Sequence, residues 1–133
     1  MPMATGFNTG PDGDILLQRS PDGKTWELPC IPLELGERID RTLVRGIRYT
    51  IGVKIDVERL VGVYSPGEAV CGPSALRPLS LLFLCRDQED VTLGGRPSSR
   101  EVAFFPGENL PVLAGRHDLL IRDARIGSDG TIF

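Results

Sequence analysis

Apolar residues in the segment 38–51 recur with the spacing of a helix. Five of them keep to one face at the 3.6-residue period: Ile39, Leu43, Val44, Ile47 and Ile51. Gly52 follows, in the position where a residue with positive φ commonly ends a helix. The pattern therefore predicts an amphipathic helix that ends at Gly52.

Strand patterns flank this helix on both sides. Before it, turn residues at 10–13 join a short mixed segment, 3–8, to the strand pattern 14–19. After it, residues 53–64 alternate and are rich in β-branched side chains, with a break near Glu58 and Arg59. Residues 79–86 are mostly apolar, which is typical of a buried strand.

The last third of the chain predicts two more strands and a second helix. Residues 91–93 favour a short strand, and residues 101–105 a strand that ends at Pro106. The helix is predicted over about residues 115–125, with Leu119, Leu120 and Ala124 facing inward. The order β-β-α-β-β-β-α predicts an α/β (α+β) fold, with a mixed sheet between helices and one domain over residues 1–133.

Composition and charge argue for some classes of protein and against others. The chain has 133 residues, 41% of them hydrophobic, which is enough for one core. Its formal net charge of −3 argues against a nucleic-acid partner. The longest apolar run, residues 79–85, is too short to cross a membrane, and the N-terminus lacks the pattern of a secretory signal.

The cysteines suggest a compartment. Cys30, Cys71 and Cys85 are odd in number and lack C-x-x-C spacing, which argues against a disulfide framework or a zinc site. A reducing compartment fits this usage, so the sequence predicts a cytoplasmic protein.

The segment from Cys30 to Val53 resembles the Nudix box, G-x5-E-x7-R-E-U-x-E-E-x-G-U, in which U is aliphatic. The flanking segments agree: GPDG, ILLQR and WELP precede it, and LSLLFLCR, REVAFFP and RHDLLIRDA follow it. Over nearly its whole length the chain is similar to MutT-like and ADP-ribose pyrophosphatase-like members of the Nudix hydrolase superfamily. The resemblance implies a Nudix-type mixed sheet between helices, with the box at about residues 31–53.

The resemblance also implies a chemistry. In that family the box helix carries three glutamates at i, i+3 and i+4, which share one helix side. They hold a hard cation such as Mg²⁺. The cation binds substrate phosphates and activates water, so that a nucleoside diphosphate linked to another group is cleaved.

The box of this chain is degenerate. Five positions match the pattern: Glu37, Arg45, Ile47, Gly52 and Val53. The three glutamate positions hold Gly46, Tyr49 and Thr50, and Ile31 replaces the opening glycine. Glycine offers no side-chain ligand, and a phenol is a poor Mg²⁺ ligand at neutral pH. We therefore expect no metal at the box helix and assign no catalytic residue.

Several residues remain as candidates for other roles. Glu37 and Arg45 are interpreted as box remnants that fix the loop onto the helix. The ligand-binding candidates are Glu34, Tyr49, Trp26 and Phe105. Tyr49 could stack on a base in the former metal cleft, and Trp26 and Phe105 could line a cleft. His117, the one histidine, is expected at the surface. Gly46 costs about 1 kcal/mol relative to alanine within a helix, which relief of repulsion among glutamates could offset.

Two functions follow from the resemblance. The first is a non-hydrolytic Nudix-type protein, inactive or strongly impaired as a pyrophosphatase, that binds a nucleotide, a nucleoside diphosphate derivative or a protein partner. The alternative is a hydrolase that depends on Mg²⁺ or Mn²⁺ and uses non-standard carboxylates. The candidate carboxylates for that alternative are Glu34, Glu37, Glu68, Glu89 and Glu101. Family members are often dimers, so the resemblance also suggests a homodimer.

Overall fold

The computed structural model describes residues 2–10, 12–34, 36–64, 79–87 and 101–128. These ranges contain two helices and seven strands. In chain order they are β1 (Met3–Thr9), β2 (Ile15–Arg19), β3 (Trp26–Glu27), β4 (Cys30–Pro32), α1 (Ile39–Thr50), β5 (Ile55–Tyr64), β6 (Ser80–Asp87), β7 (Val102–Phe105) and α2 (His117–Ser128). The strand predicted over 91–93 lies outside the described residues.

The strands form one mixed sheet, as the sequence predicted. Their order is β3-β2-β1-β6-β5, with β4 paired to β1 and β7 paired to β2. Strands β1 and β6 run parallel, and the other pairs are antiparallel. The break predicted near Glu58 is a bulge between Val57 and Arg59. Such a bulge places one unpaired residue in the strand.

The two helices cover opposite faces of this sheet. Side chains along a strand point alternately to its two faces. In β6, Leu82 and Leu84 belong to the core cluster that contains α2 residues. Phe83 and Cys85 belong to the cluster that contains α1 residues. The mixed sheet between two helices is therefore confirmed.

Strand β4 is the element that brings the box against the sheet. The sequence pattern predicted no strand here, but the three residues of β4 pair with Met3 to Thr5 of β1, Ile31 opposite Ala4. Further along β1, Thr9 pairs with Ile15 of β2 instead. Helix α1 packs on β4, β1 and β5. A three-residue strand leaves no periodic signal, so only the tertiary pairing reveals it.

Helix α2 buries two of the three residues that were predicted to face inward, Leu120 and Ala124. Leu120, Ile121 and Ala124 are buried in its core cluster, while Leu119 is only half-buried. His117 is fully buried, so the expectation that it lies at the surface is wrong. Both helices have 12 residues, and among the described residues none is long and apolar enough to cross a membrane.

The cysteines correct a second expectation. Cys85 is free and buried, whereas the sulfur of Cys30 is part of a disulfide bond. An odd number of cysteines prevents complete pairing but not a single bridge. Cysteine usage therefore no longer supports the prediction of a reducing compartment.

Candidate functional site

The box forms a loop and a helix with well-defined ends. Gly36, in the loop, has a φ of 82°, a left-handed conformation that favours glycine. At the other end, Gly52 has a φ of 89° and donates its N–H to the carbonyls of Ile47 and Arg48, at 3.2 and 3.0 Å. These bonds satisfy carbonyls that the end of a helix leaves open. The helix therefore ends at Gly52, as the sequence predicted.

Glu37 and Arg45 are joined across the box. The guanidinium donates from Nε to Oε2 of Glu37 at 3.1 Å and from Nη2 to Oε1 at 2.8 Å. The Thr42 hydroxyl donates to the same carboxylate at 2.6 Å. These hydrogen bonds, that of Arg45 first, lower the pKa of Glu37 to about 2. The carboxylate is thus ionised and engaged in holding the loop to the helix.

Glu34 belongs to the same cluster. Its Oε2 lies 3.3 Å from Nη2 of Arg45, and both side chains are more than half exposed. Arg45 therefore forms ion pairs with two carboxylates of the box loop, those of Glu34 and Glu37. An exposed ion pair of this kind contributes little stability by itself. Its effect is to fix the position of Arg45.

The three positions of the family's metal ligands present no carboxylate. Gly46 is buried, and Tyr49 is 66% exposed on the outer side of the helix. The Thr50 hydroxyl donates to the carbonyl oxygen of Gly46 at 2.7 Å, within the helix. Such a bond satisfies the hydroxyl proton locally. Positions 46, 49 and 50 of α1 therefore carry no charged side chain, and we call them the neutral side of the helix.

Mg²⁺, which the box implies, does not fit these residues. Hard divalent cations need several oxygen ligands, usually including carboxylates. The nearest box carboxylate, Glu37, is already bound by Arg45 and Thr42. Across the described ranges, no three His, Cys, Asp or Glu side chains form a group that could hold a metal ion.

The other candidate carboxylates are dispersed. Glu101 precedes β7 and forms an ion pair with Arg19 at 3.1 Å, far in sequence from the box. Asp40, a further carboxylate in the first turn of α1, also forms an ion pair, with Arg38 at 2.9 Å. Glu68 and Glu89 lie outside the described residues. Within the ranges that the structure describes, no substitute set of carboxylate ligands comes together at α1.

The aromatic candidates lie on two different sides of the sheet. Trp26 and Phe105 pack edge to face, with their ring centroids 4.9 Å apart, in the core beside α2. The Arg19 guanidinium lies 4.3 Å from the Trp26 ring centroid. Tyr49 is on α1, and Phe104, not Phe105, packs on the α1 side. The structure does not bring Trp26 and Phe105 together with Glu34 and Tyr49.

Two buried polar residues were missed by the sequence analysis. Nδ1 of His117 accepts a hydrogen bond from the backbone N–H of Leu28 at 3.2 Å, which ties α2 to the segment before the box. Glu27 is 5% exposed and accepts hydrogen bonds from Gln18 and Ser20, at 2.8 and 3.3 Å. The helical stripe formed by His117, Leu120, Ile121 and Ala124 was a signal that could have placed the histidine inside.

Known proteins resemble this chain in sequence. It is 40% identical over 117 residues to a MutT-like protein of Streptomyces ambofaciens, covering 88% of this chain and 71% of that protein. It is 31% identical over 115 residues to an ADP-ribose pyrophosphatase of Methanocaldococcus jannaschii, covering 84% of this chain and 66% of that protein. The chain thus spans about two thirds of these relatives. No family model matches it.

Solved structures share the fold. A UDP-X diphosphatase superposes with a TM-score of 0.76 at 18% identity, covering 98% of this chain and 63% of that one. A Nudix hydrolase from Nitrosomonas europaea gives a TM-score of 0.76 at 20% identity, covering 98% and 73%. Together with the sequence relatives and the box architecture, these likenesses show that the chain belongs to the Nudix superfamily.

Proposed function

We propose that this chain is a non-hydrolytic Nudix-fold protein that binds a nucleoside diphosphate derivative. The observation that carries this proposal is the neutral side of α1, where Gly46, Tyr49 and Thr50 replace three carboxylates. Without these ligands α1 cannot hold the cation that activates water in the family's reaction. Loss of that cation removes both its charge stabilisation and its nucleophile.

The ligand class is inferred from relatives. The names ADP-ribose pyrophosphatase and UDP-X diphosphatase both denote proteins that act on a nucleoside diphosphate joined to a second group. This chain keeps the sheet, both helices and the Glu37–Arg45 connection that positions the box loop. The nucleoside diphosphate is therefore assigned by analogy with these relatives, and a binding measurement on this chain is its test.

The experiment is a comparison of binding with turnover. The purified chain is incubated with ADP-ribose, UDP-glucose, a dinucleoside polyphosphate and an oxidised nucleoside triphosphate in millimolar Mg²⁺ or Mn²⁺. Turnover is expected at background for every compound, while at least one diphosphate raises the melting temperature. An active Nudix hydrolase assayed in parallel serves as the positive control.

Two results would overturn the proposal. Turnover well above background that is lost on Glu34→Gln, Glu37→Gln, Glu68→Gln, Glu89→Gln or Glu101→Gln would establish a hydrolase with a different base. The absence of any thermal shift across the set would reject the proposed ligand class.

A further inference from the structure

Gly46 and Ile31 are in direct packing contact, and the contact leaves no room for a side chain at position 46. A Cβ built on Gly46 would lie 2.5 Å from Cγ2 of Ile31 and 2.8 Å from its Cγ1 and Cδ1. Real Cβ atoms essentially never approach other heavy atoms within 3.0 Å. The space beside the glycine is therefore filled by the isoleucine.

The contact cannot be relieved by a simple rotation of the isoleucine. Both branches from its Cβ, Cγ1 and Cγ2, are within 2.8 Å of the added atom. A β-branched side chain has few allowed χ1 values, and turning one branch away brings the other closer. The backbone is also held, because Ile31 pairs with Ala4 in the sheet. Only a shift of α1 or of β4 would make room.

Both residues differ from the residues that the box pattern has at their positions. Ile31 replaces the opening glycine, and Gly46 replaces the first glutamate of the helix. We infer that Ile31 prevents metal binding at α1, because it occupies the volume that a metal-ligating side chain at position 46 would require. This inference rests on the proposed function, in which the metal site is lost, and it gives a steric reason for that loss. Gly46 is then required by packing, which explains a mid-helix glycine better than relief of repulsion does.

This role makes Ile31 the residue that determines whether α1 can hold a divalent cation. Restoring carboxylates at 46, 49 and 50 is insufficient while Ile31 remains, since a glutamate side chain introduced at position 46 has no room to point outward. Replacement of Ile31 by glycine, the residue of the box pattern, reopens the space. Positions 31 and 46 are therefore coupled.

A double-mutant cycle on stability tests the packing. Gly46→Ala should lower the melting temperature of the otherwise wild-type chain by on the order of 5 °C, because it overpacks the contact. In an Ile31→Ala background, which lacks all three contacting atoms, the same change should raise it by about 3 °C through helix propensity. A reversal of sign supports the inference. Gly46→Ala acting in the same direction in both backgrounds would overturn it.

A metal titration tests the functional consequence. The variant Gly46→Glu, Tyr49→Glu, Thr50→Glu is compared with the same variant that also carries Ile31→Gly. Only the second should gain melting temperature in millimolar Mg²⁺, with 1:1 binding in calorimetry. Equal Mg²⁺ stabilisation of both variants would overturn the role of Ile31 and leave the proposed function of the wild type standing. Turnover or Mg²⁺ binding by the wild type would instead reject the proposed function.

Discussion

Glu37 and Arg45 are joined by two hydrogen bonds of 3.1 and 2.8 Å that connect the box loop to α1. Together with the hydrogen bond from Thr42, they lower the pKa of Glu37 from 4.5 to about 2. The folded pKa is below the unfolded one, so the carboxylate contributes stability that is fully present above pH 4.5 and lost as the pH falls towards 2. Glu37 therefore contributes to the stability of the fold in a way that depends on pH.

The prediction concerns Glu37→Gln. We expect this variant to melt below the wild type at pH 7 and the two curves to converge as the pH falls from 4.5 to 2. Differential scanning calorimetry at six pH values measures the difference. Glu101→Gln, which removes an exposed ion pair with Arg19, is the control. A difference that stays constant from pH 7 to pH 3 would contradict the assigned role.

Asp87 is expected to have the opposite pH dependence. Within the described structure its two carboxylate oxygens are buried without a hydrogen-bond partner, and burial raises its pKa from 3.8 to about 6. Because the folded pKa exceeds the unfolded one, stability should decline as the pH rises from about 4 to beyond 6.

The test is Asp87→Asn, which removes the charge at similar size. The variant should melt above the wild type at pH 7.5, and the difference should disappear as the pH falls below about 3, where the aspartate is protonated in both states. Asp56→Asn, on the neighbouring strand, controls for the loss of one negative charge. A variant less stable than the wild type at pH 7.5 would show that Asp87 has a stabilising partner.

His117 is expected to stabilise the fold through the hydrogen bond that it accepts from Leu28. His117→Leu leaves the N–H of Leu28 buried without its acceptor, which costs about 1–3 kcal/mol. His117→Asn places an oxygen near the position of Nδ1 and should retain part of this free energy of unfolding. Urea denaturation of both variants measures the difference. A leucine variant at least as stable as the asparagine variant would argue against the hydrogen bond.

Much of the fold could be predicted from the sequence, because its longer elements have strong periodicity. The stripe from Ile39 to Ile51 and the stop at Gly52 predicted α1, and the apolar run near residue 80 predicted β6. Strand β4 was missed, since three residues carry no period. His117 was misplaced because its polar neighbours outweighed the helical stripe that it shares with Leu120 and Ala124.

The site could be predicted only where its chemistry is local. The absence of carboxylates at positions 46, 49 and 50 follows directly from the aligned box. The contact between Ile31 and Gly46 joins residues on different elements, so its geometry depends on how α1 packs on β4. The separation of Trp26 from Tyr49 also depends on which face of the sheet each residue occupies.

The central claim, that the box helix holds no divalent cation, is tested most directly by calorimetric titration of the wild-type chain with Mn²⁺ and Mg²⁺. We predict no heat attributable to the protein up to millimolar metal. The references are metal titrated into buffer and, for the titration in ADP-ribose, metal titrated into ADP-ribose alone. A site tighter than about 100 µM that is abolished by Glu37→Gln and retained in Glu101→Gln would contradict the account, because such affinity requires several converging oxygen ligands.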